Sequence, residues 1–180
     1  MQRRKLRFTT VVQPLIIRKL EAKDYGAYKR LFDESYSEYL EFLKRENPQQ
    51  YQKEQQEIRE AKREVSRARF DFYLKTGSSF IAEEKGEVIG YVASQTVRFE
   101  HGVDELLWIE YIVFQQKFRN RGVGLALLNK LKDYVEHSGI DRIYTTISLD
   151  NEASIKLHLK AGFNVEDRKL VSYRIRESEK

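Results

Sequence analysis

Between a dense apolar run, Leu106 to Phe114, and an amphipathic segment with Gly124, Leu127, Leu128, Leu131, Tyr134 and Val135 lies the turn Gln115-Gln116-Lys117-Phe118-Arg119-Asn120-Arg121-Gly122-Val123-Gly124. A strand that passes through a basic, glycine-containing turn into a helix start makes an anion site. The unpaired amides of the first helical turn and the helix dipole both point at the ligand. Glycine at such a turn lets the backbone come close to a pyrophosphate. Two familiar phosphate sites do not fit. The dinucleotide fingerprint needs a third glycine where Leu127 stands, and a P-loop needs a Gly-Lys-Ser/Thr sequence that the chain lacks. A lone Gly-x-Gly is more often a simple turn, so this spacing needs a second element beside it.

One carboxylate, Glu110, stands inside the apolar run, among Trp108, Ile109, Tyr111 and Ile112. Desolvation there favours uptake of a proton, which suits a general base that deprotonates an amine. Strict strand alternation places Glu110 on the face of Trp108, Ile112 and Phe114. The plainer reading is a carboxylate in a cleft wall that binds a cationic substrate or pairs with Arg or Lys across the sheet. Of the three histidines, His137 suits a helix C-terminus, where the dipole favours a cation, and His101 sits in a polar stretch beside Glu100 and Asp104. With dispersed histidines and no cysteine, neither a metal site, a disulfide framework nor a thiolate nucleophile is expected.

The elements that must position these residues follow from periodicity. Leu15 to Leu20 suits a first strand, and Tyr28, Leu31, Phe32, Ser35, Tyr39, Phe42 and Leu43 recur at helical spacing after Lys23-Asp24. Asn47-Pro48 can start a second helix, with Asn as cap and Pro at the first position. From Gln49 to Lys75 there is no Gly or Pro, and Tyr51, Ile58, Val65 and Phe72 recur every seven residues. That narrow seam would suit either a homodimer contact or packing on its own domain. Ser79–Glu83 and Val88–Ala93 predict an antiparallel hairpin around Lys85-Gly86. Arg142 to Leu149 predicts a strand, Ala153 to Lys160 a short helix, and Phe163–Val165 and Leu170–Ile175 final strands. The order describes an α/β chain whose mixed sheet is antiparallel early and joined by helical crossovers later.

Two motifs in order carry a family resemblance. Arg119-x-x-Gly122-x-Gly124 resembles the Gln/Arg-x-x-Gly-x-Gly/Ala element of the GNAT acetyltransferase superfamily. Asn151-Glu152-Ala153-Ser154-Ile155-Lys156-Leu157-His158-Leu159-Lys160-Ala161-Gly162-Phe163 is similar to that family's Asn-x-x-Ala/Ser-Ile-x-Leu-Tyr-x-x-x-Gly-Phe segment. The resemblance spans about Leu15 to Ile175. It implies a mostly antiparallel central sheet with flanking helices and a splay between the fourth and fifth strands, Leu106–Phe114 and Arg142–Leu149, where acetyl-CoA binds. The pantetheine would pair with backbone groups near Ile112, Val113 and Phe114, one amide polarising the thioester carbonyl. The amides of Arg119, Asn120, Arg121, Gly122, Val123 and Gly124 would hold the pyrophosphate, with Arg119 and Arg121 adding charge. Asn151 caps the short helix and, in the family, often touches the pantetheine or the substrate side. Some small-amine members carry a Glu at the position of Glu110. His158 departs from the pattern, which has a Tyr that protonates the departing thiolate. His158 takes that role as imidazolium, or another group or solvent does so, or it only packs.

The 180 residues are 41% hydrophobic and 12% aromatic, as expected of a single domain over 15–176, with a basic leading segment 1–14 and a short tail 177–180. The formal net charge of +5 lies in Arg3, Arg4, Lys5, Arg7, Arg18 and Lys19; the rest of the chain is near neutral. The four basic residues of the leading segment, Arg3, Arg4, Lys5 and Arg7, make a thin nucleic-acid footprint, so nucleic acid is not an expected partner. Neither the apolar run Val11–Ile17, broken by Gln13 and Pro14, nor Leu106–Phe114 is long enough for a signal core or a membrane span, which makes the cytoplasm the default location. The reading is an acetyl-CoA-dependent N-acetyltransferase of the acyltransferase class. It acts by direct attack of a primary amine on a small molecule or peptide, with no metal. A non-catalytic acetyl-CoA-binding sensor of the same fold is the alternative.

Overall fold

The computed structural model describes residues 14–61, 67–98 and 105–167, without the side chains of 57–61. Strand β1 (Ile16–Lys19) leads through a 3₁₀ turn, Ala22–Asp24, into α1 (Tyr25–Glu46). Helices α2 (Pro48–Ala61) and α3 (Arg67–Thr76) follow, then β2 (Phe80–Glu84), β3 (Glu87–Arg98) and β4 (Glu105–Phe114). A 3₁₀ turn, Gln116–Phe118, precedes α4 (Val123–Glu136), β5 (Arg142–Tyr144) and α5 (Glu152–Lys160). Of the expected helix over 49–75, α2 and α3 cover the described parts, and residues 62–66 lie outside the described residues. Of its seam, Ile58 and Val65 lie outside the described side chains, and Phe72 is 45% exposed. The tail 1–13, the polar stretch 99–104 with His101 and the expected strand Leu170–Ile175 also lie outside the described residues.

The chain forms two compact units, one up to Thr146 and one from Ile147. In the first, the five strands lie in sequence order, antiparallel from β1 to β4 and parallel between β4 and β5. This is the mixed, mostly antiparallel sheet expected. Helices α1 and α3 pack on β3, and α4 packs along the sheet from β1 to β5. Alternation sends Ile81, Tyr91, Ala93 and Val113 into one core with Tyr28 and Leu31 of α1 and Phe70 and Tyr73 of α3. Tyr28 meets Phe70 edge-on at 5.3 Å and Tyr91 at 4.3 Å, a directional aromatic packing that adds to the area buried. Leu127, Leu128 and Leu131 of α4 are fully buried, and Tyr134 meets Phe80 at 5.9 Å.

A charge cluster pins the start of this layer. Arg18 of β1 grips Asp24 with both terminal nitrogens at 2.8 Å and reaches Glu83 of β2 at 3.0 Å. The Glu21 amide also donates to Asp24 at 2.9 Å. Burial pulls the Asp24 carboxyl up, but the Arg18 fork, the Glu21 amide and the Arg18 charge outweigh it and hold the group below the ordinary carboxylate range.

Two sequence expectations are corrected. The strand from Arg142 ends at Tyr144 rather than Leu149, because the Thr145 hydroxyl takes the Ile109 carbonyl at 3.1 Å and replaces a backbone ladder bond there. Phe163–Val165 is not a strand: the Phe163 amide is spent on the His158 carbonyl at 3.0 Å, closing α5.

Candidate active site

The turn before α4 has the backbone of an anion cradle. Asn120 and Gly122 take positive φ values of 60° and 82°, and Gly122 caps α4 in the left-handed conformation. The first amide of α4 to find an intrahelical carbonyl is that of Ala126, bonded to Gly122 at 2.9 Å. The preceding amides, Val123 and Gly124 among them, are the orphans of a helix start. A left-handed residue beside extended or helical ones turns successive N–H groups toward one point, a nest suited to phosphate oxygens. Both arginines of the turn already meet acids: Arg119 pairs with Glu38 of α1, and Arg121 with Glu84 of β2 at 3.0 Å while its guanidinium lies 4.8 Å over the Phe118 ring. Nothing local in the chain marks Glu38 and Glu84 as their partners, because each pair spans distant segments.

Among the described residues, the neighbouring edge of β4 has no strand partner beyond Trp108, and only the Thr145 hydroxyl reaches it, at the Ile109 carbonyl. The pairing of β4 with β5 covers only Leu106, Leu107 and Trp108. From Ile109 to Phe114, the stretch holding Ile112 and Val113, no β5 residue pairs with it. This is the expected splay of the fourth and fifth strands, and such an edge can accept an extended ligand as though it were another strand.

Glu110 is placed by a bulge. Ala93 pairs with Tyr111 but Ser94 pairs with Ile109, which leaves Glu110 as the extra residue of β4. The shift changes the phase of the strand. Trp108 now pairs with Gln95, on the face of Tyr91 and Ala93, so it is parted from Ile112 and Phe114. The expectation that Glu110, Trp108, Ile112 and Phe114 share one face fails here, because strict alternation holds only in a strand without a bulge. The half-buried Glu110 carboxylate accepts a hydrogen bond from Gln95 Nε2 at 2.5 Å, which sets it on the α1 and α3 side of the sheet. Tyr28 and Tyr73 of the core lie near enough to feel its charge. Burial pushes the Tyr28 hydroxyl up to about 12 and raises Tyr91. Tyr73 is raised by burial and then by the Glu110 charge. These phenols therefore stay neutral, so Glu110 faces no anionic neighbour among them. The guanidinium of Arg69 on α3 lies 3.5 Å from the Tyr111 hydroxyl. Gln95 did not stand out in the sequence, since a polar residue late in a strand carries no local signal.

In the second unit, Asn151 caps α5 by accepting the Ser154 amide at 3.1 Å. His158 is buried, with its ring edge-on to Phe163 at 5.2 Å. Its Nδ1 lies 2.8 Å from the Ser154 carbonyl, which only accepts, so Nδ1 carries a proton. Nε2 is buried without a hydrogen-bond partner among the described residues. A neutral His158 therefore presents a lone pair at Nε2, and only the imidazolium could donate a proton there. Among the described residues no group of three His, Cys, Asp or Glu side chains could hold a metal ion, and no helix is long and apolar enough to cross a membrane.

The model of the acetyltransferase (GNAT) family matches residues 28–163. The chain belongs to the GNAT family. A L-2,4-diaminobutyric acid acetyltransferase of Nocardia farcinica is 36% identical over 81 residues, 45% of this GNAT chain and 40% of the relative. A L-amino acid N-acetyltransferase of Escherichia coli is 29% identical over 85 residues, 45% of the chain and 49% of the relative. The chain thus spans less than half the length of these curated relatives. Among solved structures, an aminoglycoside N-acetyltransferase in complex with CoA superposes with a TM-score of 0.64 at 21% identity, covering 91% of this chain and 96% of that one. An aminoglycoside acetyltransferase from an uncultured soil metagenomic sample, in complex with trehalose, gives 0.66 at 12% identity over 91% and 97%. These neighbours share the GNAT fold.

Proposed function

We propose that this GNAT protein is an acetyl-CoA-dependent N-acetyltransferase that moves the acetyl group directly to a primary amine. The observation that carries this reading is the course of β4: its edge is open from Ile109 to Phe114 and runs into the amide-rich start of α4. The open edge suits a pantetheine arm bonded to backbone groups near Ile112, Val113 and Phe114. The turn from Arg119 through Asn120, Arg121, Gly122 and Val123 to Gly124 suits the pyrophosphate, with Asn151 a further contact to the arm. Acetyl-CoA supplies the activated acyl group. A backbone amide of the open edge polarises the thioester carbonyl, which costs no reorganisation because the strand is fixed.

Glu110 takes the proton that the amine must lose. The acceptor nitrogen then attacks the carbonyl carbon, a C–N bond forms, the C–S bond breaks, and CoA leaves as a thiolate. With no cysteine in the chain, a cysteinyl acetyl-enzyme has no place in this reaction. His158 is the proton source for the thiolate only as an imidazolium, since its Nδ1 proton is committed to Ser154. The acceptors in the relatives' names, a diaminobutyric acid, amino acids and aminoglycosides, support an amine acceptor.

A second reading, an acetyl-CoA-binding module without turnover, is favoured by one observation: His158 stands where the family pattern has a phenol. Calorimetric titration with acetyl-CoA, followed by thiol release and product mass over a panel of amines, separates the two. Binding with release of CoA and an acetylated amine supports the enzyme. Binding with no product on amino acids, polyamines or peptides supports the module.

A further inference from the structure

Three buried serines, Ser78, Ser79 and Ser94, meet on the β2 side of β3, across the strand from the bulge. β2 begins at Phe80, opposite Val92, so Ser94 lies beyond the β2 ladder. Side chains pair its backbone there instead. The Ser94 amide donates to the Ser79 hydroxyl at 3.1 Å, and the Ser94 carbonyl lies 3.0 Å from the hydroxyls of Thr76 and Ser78 and 3.3 Å from that of Ser79. The Ser94 hydroxyl donates in turn to the Ser78 carbonyl at 2.6 Å, while the Ser79 carbonyl is taken by the Leu20 amide at 2.9 Å. Thr76 ends α3, and its hydroxyl also lies 2.8 Å from the Tyr73 carbonyl, so the cluster joins α3, the approach to β2 and β3.

The place of this cluster matters, because β3 and β4 change register between Ala93 and Ser94. On the β4 side that step leaves Glu110 without a partner in the ladder, and its carboxylate is held by the side chain of Gln95, the residue after Ser94. A slip of one residue in a strand pair turns every side chain to the other face. Buried hydroxyls that are fully paired specify one alignment, where apolar residues would tolerate several. We infer that Ser79 and Ser94 are positioning residues for acetyl transfer: their hydrogen bonds fix β3 at the register step and so hold Gln95 against the Glu110 carboxylate. This rests on the reading of Glu110 as the base and extends it through Gln95. Hydroxyls that only cap a strand end would affect stability alone.

The test uses the full chain, acetyl-CoA and whichever amine of the panel above the wild type acetylates fastest. Ser79→Ala strips the Ser94 amide of its acceptor, and Ser94→Ala removes a hydroxyl while leaving the Ser94 backbone bonds in place. Each variant, assayed well below its melting temperature, should lose about tenfold in kcat, the scale of a small misplacement of a reacting group, while acetyl-CoA affinity by calorimetry stays within about twofold of the wild type. Glu110→Gln supplies a readout that a purely structural role would not move. In that background Ser79→Ala should cost less than about twofold in kcat, because its effect passes through the missing carboxylate. Wild-type kcat in both serine variants would overturn the inference and leave acetyl transfer standing. So would a loss that persists undiminished in the Glu110→Gln background, or one matched by an equal loss of acetyl-CoA affinity. If Ser79→Ala does not fold, Ser94→Ala carries the same comparison. Full turnover by Glu110→Gln would remove the base and the inference with it, and a wild type that binds acetyl-CoA but acetylates no amine would end the acetyl-transfer reading itself.

Discussion

The two ends of the open part of β4 are built in different ways. At its C-terminal end the turn Arg119–Gly124 is a local object: its shape comes from the positive φ of Asn120 and Gly122 and from the helix start that follows. A Cβ added to Gly122 would meet nothing within 4 Å, so the glycine is there for backbone conformation and not for space. At the other end Ile109, Glu110 and Tyr111 are ordinary strand residues, and nothing in their types marks a bulge. The bulge exists because β3 and β4 change register between Ala93 and Ser94, and it is there that Glu110, Gln95 and Tyr111 come to share a side. The shape of the turn is thus written into six consecutive residues, while the placement of Glu110 depends on a partner strand.

This contrast makes the turn and the bulge separable by mutation. The largest effect should come from Gly122→Val, which forces a β-branched residue into a left-handed conformation and turns the amides off the ligand. Acetyl-CoA affinity should fall at least about 100-fold, as expected for losing two hydrogen bonds to a charged group at roughly 1.5 kcal/mol or more each, while the thermal melt stays close to that of the wild type. Calorimetric titration reads the first and circular dichroism the second. Unchanged affinity would remove the turn from the site.

Glu110→Gln should do the reverse. Turnover should drop by about 100-fold, the scale of a lost general base, with acetyl-CoA affinity unchanged. A matching loss of affinity would mean that bulge and turn are not separable.

Two further variants should act on the scaffold. Asp24→Asn breaks the Arg18 fork far along the chain from both regions and should destabilise the fold by about 2 kcal/mol without changing cofactor affinity, less than a fully buried pair because Arg18 is partly exposed. The sign with pH follows from the depressed Asp24 carboxyl. Its contribution is complete above the ordinary carboxylate range near 4 and is lost as pH falls through the lower folded-state value. Denaturant melts from pH 7 downward should therefore show wild type and Asp24→Asn converging in acid.

The smallest effect should come from Gly90→Ala. Here a Cβ would sit 2.7 Å from the Phe114 Cβ and 2.9 Å from the Val113 carbonyl, so this glycine is needed for space. The cost should be about 1–2 kcal/mol in stability, from overpacking where β4 meets the turn. Affinity for acetyl-CoA should fall only a few-fold, against the large loss at Gly122, where stability should barely move.

Much of the fold was legible because it rests on short-range patterns. The apolar periodicity of Tyr28, Leu31 and Leu43 and of Leu127, Leu128 and Leu131 predicted α1 and α4, whose buried residues include these. The Lys85-Gly86 turn gave the β2–β3 hairpin, with both residues at positive φ, and Asn151 gave the cap of α5. The strand expected at Phe163–Val165 failed because its first amide is used by α5, a competition that alternation of residue types does not reveal. The partners of Arg119 and Arg121 were equally out of reach, since Glu38 and Glu84 lie 81 and 37 residues away.

By itself the sequence determined the family, the sheet and its helices, and the glycine turn before α4, because those depend on residues a few positions apart acting through backbone conformation and hydrophobic period. Only the tertiary structure decided which way Glu110 faces and what stands beside it. One unpaired residue in a ladder changes the face of the residues before it, and that choice is made jointly by two strands rather than by either alone. The hydrogen bond from Gln95 that holds the Glu110 carboxylate is the outcome of that choice.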